Sequence, residues 1–232
     1  MTKHSDSVYR RESTASHGQL NRSEVRERDL VTRYQHIRSR IDMTRALERL
    51  NRIENAGFQG LLAQLADLGV VIGADTVLPR HLARRHDRFG LTLVLPGHAP
   101  LIWLNLLKHD GVAGLVDTVV HEAVHSTVRR LGRLPRTPEP DEAITSYGEE
   151  VVALAGANLI LRRIAFPARR EIARNMIALA NCKTVLGQLG CSERFLSARI
   201  AEAEVAAAFF TDFGIDVAAP TLEAIQSRAG RK

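Results

Sequence analysis

Two histidines and a glutamate form the most chemically suggestive pattern in the sequence. The run His121-Glu122-Ala123-Val124-His125 is an H-E-x-x-H. On a helix, side chains four residues apart project from one face, one turn apart, so His121 and His125 can bind the same metal ion. Glu122 lies one residue round the helix and can reach a metal-bound water without coordinating. Zinc lowers the pKa of such a water to about 7, and a carboxylate can take its proton as it attacks a carbonyl.

The chemistry needs a third ligand, because a catalytic zinc site normally has three protein ligands and one open position. The next predicted helix offers Glu149 and Glu150 near its start. Consecutive helical residues point about 100° apart, so we expect only one of them to face the metal. A stripe of small residues where another helix can approach follows them: Ala153, Gly156 and Ala157. This stripe lies between the two directions, so helical geometry leaves both glutamates open as ligands.

Tyr147 precedes the paired glutamates and is a candidate catalytic residue. Its hydroxyl could donate a hydrogen bond to the oxyanion that develops during hydrolysis. An aromatic residue that packs at the edge of the core explains the same position equally well.

The elements that must hold these residues follow from hydrophobic periodicity. Apolar rows predict a helix at about 112–131 around the H-E-x-x-H, and further helices at 147–165, 168–188 and 192–213, with a short one near 221–228. Upstream, an amphipathic helix over 23–50, broken near Asp42, precedes a helical stretch at 61–68. A short strand is predicted at 70–72, and two more at 91–95 and 101–104. The order predicts an α+β fold that is mostly α, with a small sheet before the H-E-x-x-H helix.

Length and composition bound the protein further. The chain has 232 residues, a net charge of +6 and only four lysines, so 28 of its 32 basic residues are arginine. We expect a flexible tail at 1–21, a helical N-terminal region at 22–88 and one domain at 89–232. No apolar run is long enough to span a bilayer and no secretory signal is present, so we expect no membrane contact. The two cysteines, Cys182 and Cys191, suit a reducing cytoplasm.

Three segments together carry a longer pattern: His121-Glu122-Ala-Val-His125-Ser-Thr127, Arg133-Leu134-Pro-Arg136 and Tyr147-Gly-Glu149-Glu150-Val-Val-Ala153-Leu-Ala-Gly156-Ala157. This pattern resembles the metallopeptidase domain of ArdC-type antirestriction proteins. That family typically reads H-E-L-x-H-W-T-G-H-x-x-R-L-x-R and then Y-A-x-E-E-L-V-A-E-L-G-A. The resemblance covers residues of about 90–213, and the family's N-terminal single-stranded-DNA-binding module is not recognisable.

The resemblance implies a zincin-like domain with Zn²⁺ as cofactor and a protein or peptide as substrate. It implies Glu150 as the third ligand, because several zincin families place that ligand in a Glu-x-x-Ala pattern, as in Glu150-Val-Val-Ala153. It further implies that the strand at 101–104 is the edge strand that binds an extended peptide. The biological setting it implies is a plasmid or phage protein in the host cytoplasm that protects incoming DNA from restriction.

Two functional hypotheses follow from the sequence. In the first, the protein is a zinc metallopeptidase with Glu122 as general base and later general acid. In the second, it is a DNA-associated protective protein whose zinc is structural or whose peptidase site is vestigial. The intact Glu122 favours the enzyme, and the excess of arginine favours DNA binding through phosphate contacts. The oligomeric state is not predicted.

Overall fold

The computed structural model describes residues 22–74, 89–95, 97–109, 111–130 and 142–211. Within these ranges the helices are α1 (Arg22–Arg38), α2 (Met43–Asn51), α3 (Ala56–Asp67), α4 (Val112–Arg130), α5 (Glu142–Arg163), α6 (Arg169–Gln188) and α7 (Glu193–Thr211). The strands are β1 (Val71–Ala74), β2 (Gly90–Leu93) and β3 (Leu101–Leu104). The predicted α+β fold, mostly α with a small sheet before the H-E-x-x-H helix, is confirmed. None of the described helices combines the length and apolar character needed to cross a membrane.

The predicted break near Asp42 separates α1 from α2. The Asp42 side chain accepts a hydrogen bond from the backbone N–H of Arg45 at 2.9 Å, which caps the start of α2. The Asp42 backbone also exchanges hydrogen bonds with Ala74, at 2.9 and 3.1 Å. These hydrogen bonds therefore connect the segment between α1 and α2 to the end of β1.

The three strands form one sheet in the order β1-β3-β2. Strand β1 pairs with β3 in parallel, and β2 pairs with it in the antiparallel direction. The expectation that residues 101–104 form an edge strand is therefore wrong, because β3 is the central strand. All four of its apolar residues are buried, as suits a strand that is paired on both sides and covered on both faces. Strand β2 is the edge strand that lies against α4.

Alternate residues of β3 contact two different parts of the core. Leu101 and Trp103 pack with Tyr34 and Ile37 of α1, whereas Ile102 and Leu104 join the main core formed with α2 to α5 and α7. The sheet takes β1 from the predicted region 22–88 and its other strands from 89–232. The predicted tail at 1–21, the Arg133–Arg136 segment and the helix near 221–228 lie outside the described residues.

Helix α4 lies between the sheet and α5. A Cβ placed on Gly156 of α5 would lie only 3.0 and 3.1 Å from the methyl carbons of Val124. The small-residue stripe is thus a place of close helix approach, as the sequence predicted. Helix α5 begins at Glu142, five residues before its predicted start, so Glu149 and Glu150 lie in its third turn rather than at its N-terminus.

Candidate metal centre

The two histidines of the H-E-x-x-H lie together on α4. Their Nε2 atoms are 3.1 Å apart and their rings meet edge to face, with centroids 4.8 Å apart. His125 is buried, and His121 is partly exposed. The helix keeps this orientation because its apolar rows, which include the fully buried Val119, Val120 and Ala123, pack into the main core.

Glu150 of α5 completes the group from the neighbouring helix. Its Oε2 lies 3.4 Å from Nε2 of His121, and its Oε1 lies 3.5 Å from Nε2 of His125. The Glu150 side chain is 44% exposed, whereas that of His125 is 7% exposed. The cluster therefore has one side in the core and one side open to solvent.

These distances suit one metal ion of zinc size. Zinc binds histidine nitrogen at about 2.0–2.1 Å and carboxylate oxygen at about 2.0–2.2 Å, so the ligand atoms of a tetrahedral site are about 3.3–3.6 Å apart. The two histidine Nε2 atoms are 3.1 Å apart, and each lies 3.4 or 3.5 Å from a different oxygen of the Glu150 carboxylate. His121, His125 and Glu150 are a group that can hold a metal ion.

The cluster is strongly coupled electrostatically. Burial by itself would lower the pKa of His121, but the hydrogen bond with Glu150 and the charges of Glu122, Glu150 and Asp117 outweigh burial and raise it. Burial by itself would raise the pKa of Glu150, but its hydrogen bonds with His121 and His125 outweigh burial and hold it well below its ordinary value. The same negative charges that raise the pKa of His121 would also attract a cation.

Glu122 is buried on the side of α4 that faces the sheet. The hydroxyl of Thr92 on β2 lies 2.7 Å from Glu122 Oε2 and 2.9 Å from the Glu122 backbone oxygen. Glu122 is not among the residues that surround the candidate ion. It thus lies next to the candidate metal ligands and against strand β2.

Tyr147 and Glu149 lie on α5 close to Glu150. Tyr147 is 37% exposed and precedes Glu150 by three residues, which is just under one helical turn. Its role as an oxyanion donor stays a prediction. Glu149 does not belong to the group that can hold the ion.

Sequence reasoning missed Thr92 and Asp117. Asp117 is buried on α4 one turn before His121, and its carboxylate accepts hydrogen bonds from Arg174 at 2.9 Å and from Asn175 at 2.6 Å. An acid on the apolar side of a predicted helix, four residues before a candidate ligand, is a signal that could have identified it. No sequence signal links Thr92 to Glu122, because their contact depends on how β2 lies on α4.

The two cysteines are free, as expected for a protein without a disulfide framework. Both are partly exposed, and burial raises the pKa of the Cys182 thiol. Neither belongs to the metal group.

Compared with known proteins, the chain matches no family model, no curated protein and no solved structure. The resemblance to ArdC-type domains therefore stays a prediction from the motifs.

Proposed function

We propose that this protein is a zinc metallopeptidase that hydrolyses peptide bonds. The observation that carries the proposal is a cluster of three ligands, His121, His125 and Glu150, next to the buried carboxylate of Glu122. A metal site that only stabilises the fold needs its ligands alone. A buried carboxylate fixed beside the ligands, as Glu122 is, therefore favours a catalytic site. Three protein ligands also leave one coordination position of a tetrahedral ion for reaction.

In this mechanism, Zn²⁺ held by His121, His125 and Glu150 would supply a water molecule with a pKa of about 7 and a Lewis acid for the substrate carbonyl. Glu122 takes the proton as the water attacks and later delivers it to the leaving amine. Tyr147 donates a hydrogen bond to the oxygen on which negative charge develops. The partly exposed side of the cluster gives the substrate access.

Strand β2, rather than β3, is the peptide-binding edge in this proposal. The backbone N–H of Asn105 donates to the carbonyl of Phe89 at 2.9 Å, which identifies their pair as hydrogen-bonded. Because pairs alternate in an antiparallel ladder, the backbone groups of Gly90 and Thr92 point away from β3. An extended peptide could pair with the backbone of Gly90 on this side of the strand.

Replacing Glu122 with Gln tests the mechanism. Gln is nearly isosteric, so the variant should keep its zinc and fold, but it cannot accept the proton and should lose about 10²–10⁴-fold in turnover. Substrates are captured from host-cell extract with Glu122→Gln and then offered to the wild-type protein for cleavage. Unchanged turnover in Glu122→Gln, or a purified wild-type protein without stoichiometric zinc at neutral pH, contradicts the proposal.

The second candidate is a DNA-associated protective protein, favoured by the net charge of +6 and the 28 arginines. Arginine binds phosphate bidentately, and such binding weakens steeply as salt rises. A mobility-shift titration at two salt concentrations, with wild type and Glu122→Gln, separates the two functions. DNA binding unchanged by Glu122→Gln, in a protein that cleaves no peptide, favours this candidate. A cytoplasmic role in antirestriction fits either function and the two free thiols.

A further inference from the structure

The carboxylate of Glu122 is held by a side chain from another element. Thr92 of β2 is 1% exposed and Glu122 is 7% exposed, so water does not compete for their contact. The 2.7 Å separation between Thr92 Oγ1 and Glu122 Oε2 is that of a strong hydrogen bond to a charged acceptor. The same hydroxyl also lies 2.9 Å from the backbone oxygen of Glu122, and the carboxylate oxygen is the closer of the two acceptors.

The other carboxylate oxygen lies beside Gly90. Gly90 and Thr92 are two residues apart on β2 and therefore face α4 from the same side of the strand. A Cβ on Gly90 would lie 2.7 Å from Cγ2 of Thr118, 3.0 Å from Cγ of Glu122 and 3.1 Å from Glu122 Oε1. A larger residue at position 90 would therefore clash first with the Thr118 methyl group and would also press on the Glu122 carboxylate.

We propose that Gly90 and Thr92 of β2 position the general base. Thr92 binds Oε2 and so directs Oε1 to take the proton, while Gly90 provides the space that this orientation needs. The inference builds on the proposed peptidase function and adds two residues to it. Because the peptide is proposed to bind along β2 as well, the base and the substrate would be held by the same four-residue strand.

This arrangement explains how a flexible glutamate is kept in one orientation. A Glu side chain has several rotatable bonds, and a shift of about 1 Å in a reacting group can cost on the order of 10²-fold in rate. Position 122 lies on α4, whereas the peptide would bind to β2, so the two need a direct link. The Thr92 hydroxyl is that link.

The first test compares Thr92→Val with Thr92→Ser. Val has nearly the same shape as Thr but no hydroxyl, so kcat should fall by about 10- to 100-fold. KM and zinc content should stay within about twofold, since neither ligands nor peptide-binding backbone change. Ser restores the donor and should recover most of the kcat. Equal kcat in wild type and Thr92→Val, or a loss that Ser does not recover, overturns the inference.

A second measurement needs no activity. In the metal-free protein, Thr92→Val should lower the melting temperature by clearly more in the wild-type background than in Glu122→Ala, where the acceptor carboxylate is gone. Additive effects of the two substitutions overturn the contact itself. If the wild-type protein cleaves no peptide but the effects are non-additive, the peptidase proposal fails while the link between β2 and Glu122 stands. Gly90→Ala, measured in the same way, should be destabilising in both backgrounds, because its Cβ would lie 2.7 Å from Cγ2 of Thr118, and more destabilising while the Glu122 side chain is complete.

Discussion

Replacing Glu150 with Gln should remove most of the zinc-dependent stabilisation, while Glu149→Gln should leave it intact. Both Glu150 oxygens face the histidine nitrogens, at 3.4 and 3.5 Å, whereas Glu149 is outside the group. The two substitutions make the same chemical change at adjacent positions of α5. They therefore form a matched pair that differs only in the direction of the side chain.

The size of the effect follows from mass action. At a free zinc concentration about 100 times Kd, zinc stabilises the wild type by about 2.7 kcal/mol. For a domain of this size that raises the melting temperature by about 5–11 °C. Loss of a residue that only supports a ligand weakens metal binding by about 10–100-fold, so loss of the ligand Glu150 should reach at least the upper value. The same zinc then stabilises Glu150→Gln by only about 0.4 kcal/mol, which is a shift of less than about 2 °C.

The assay is a thermal melt with buffered zinc and with chelator, combined with competition against a chromogenic chelator to obtain Kd. Glu149→Gln should keep the wild-type shift. The opposite order of the two variants would show that Glu149 is the ligand. Equal, undiminished shifts in both would show that zinc is held by other residues.

Three further outcomes are expected. In the metal-free protein, Asp117→Ala should lower the free energy of unfolding by about 2–3 kcal/mol, because it leaves the buried Asn175 amide without its acceptor. The Arg174 side chain is 56% exposed, so Arg174→Ala should cost less than about 1 kcal/mol in the same chemical denaturation. The raised pKa of His121 stabilises the metal-free fold below its ordinary value of 6.5, and this contribution is lost as pH rises through the raised value. Melts from pH 5 to 9 with chelator should therefore show stability falling on the alkaline side, and zinc should remove the fall by replacing the proton; a flat profile would contradict the coupling to Glu150. Gly156→Val should overpack against α4, lower the free energy of unfolding by about 1–3 kcal/mol and weaken zinc binding. An unchanged Kd for zinc in this variant would show that the ligand geometry tolerates a shift of α5.

The H-E-x-x-H and its helix could be predicted from sequence because both depend on local periodicity. The apolar rows that include Val116 and Val120 are local information, and they determine which face His121 and His125 occupy. The choice between Glu149 and Glu150 could not be made in this way. It depends on the rotation of α5 about its axis, which the contact of Gly156 with Val124 sets.

The sheet, too, could be predicted from the sequence only in part. All three strands could be predicted, but the position of β1 beside β3 could not, because β1 pairs with it in parallel from a distant part of the chain. The four apolar residues of β3 already favour a central position in the sheet. The resemblance to peptidases led instead to the expectation that this strand is the peptide-binding edge. Thr92 was missed for a similar reason, since an isolated threonine in a strand carries no record of the helix beneath it.

The parallel pairing of β1 with β3 limits how this protein can be divided. A fragment beginning at residue 89 would contain the whole metal cluster, but it would expose one side of β3 and lose the fully buried Phe58, Leu61 and Leu65 of α3. An unpaired apolar strand is a template for association with other chains. The smallest fragment that could fold by itself, whether exchanged between genes or expressed as a minimal active protein, therefore begins before α2. A chain that begins at residue 89 should therefore aggregate, because β3 would be unpaired on one side.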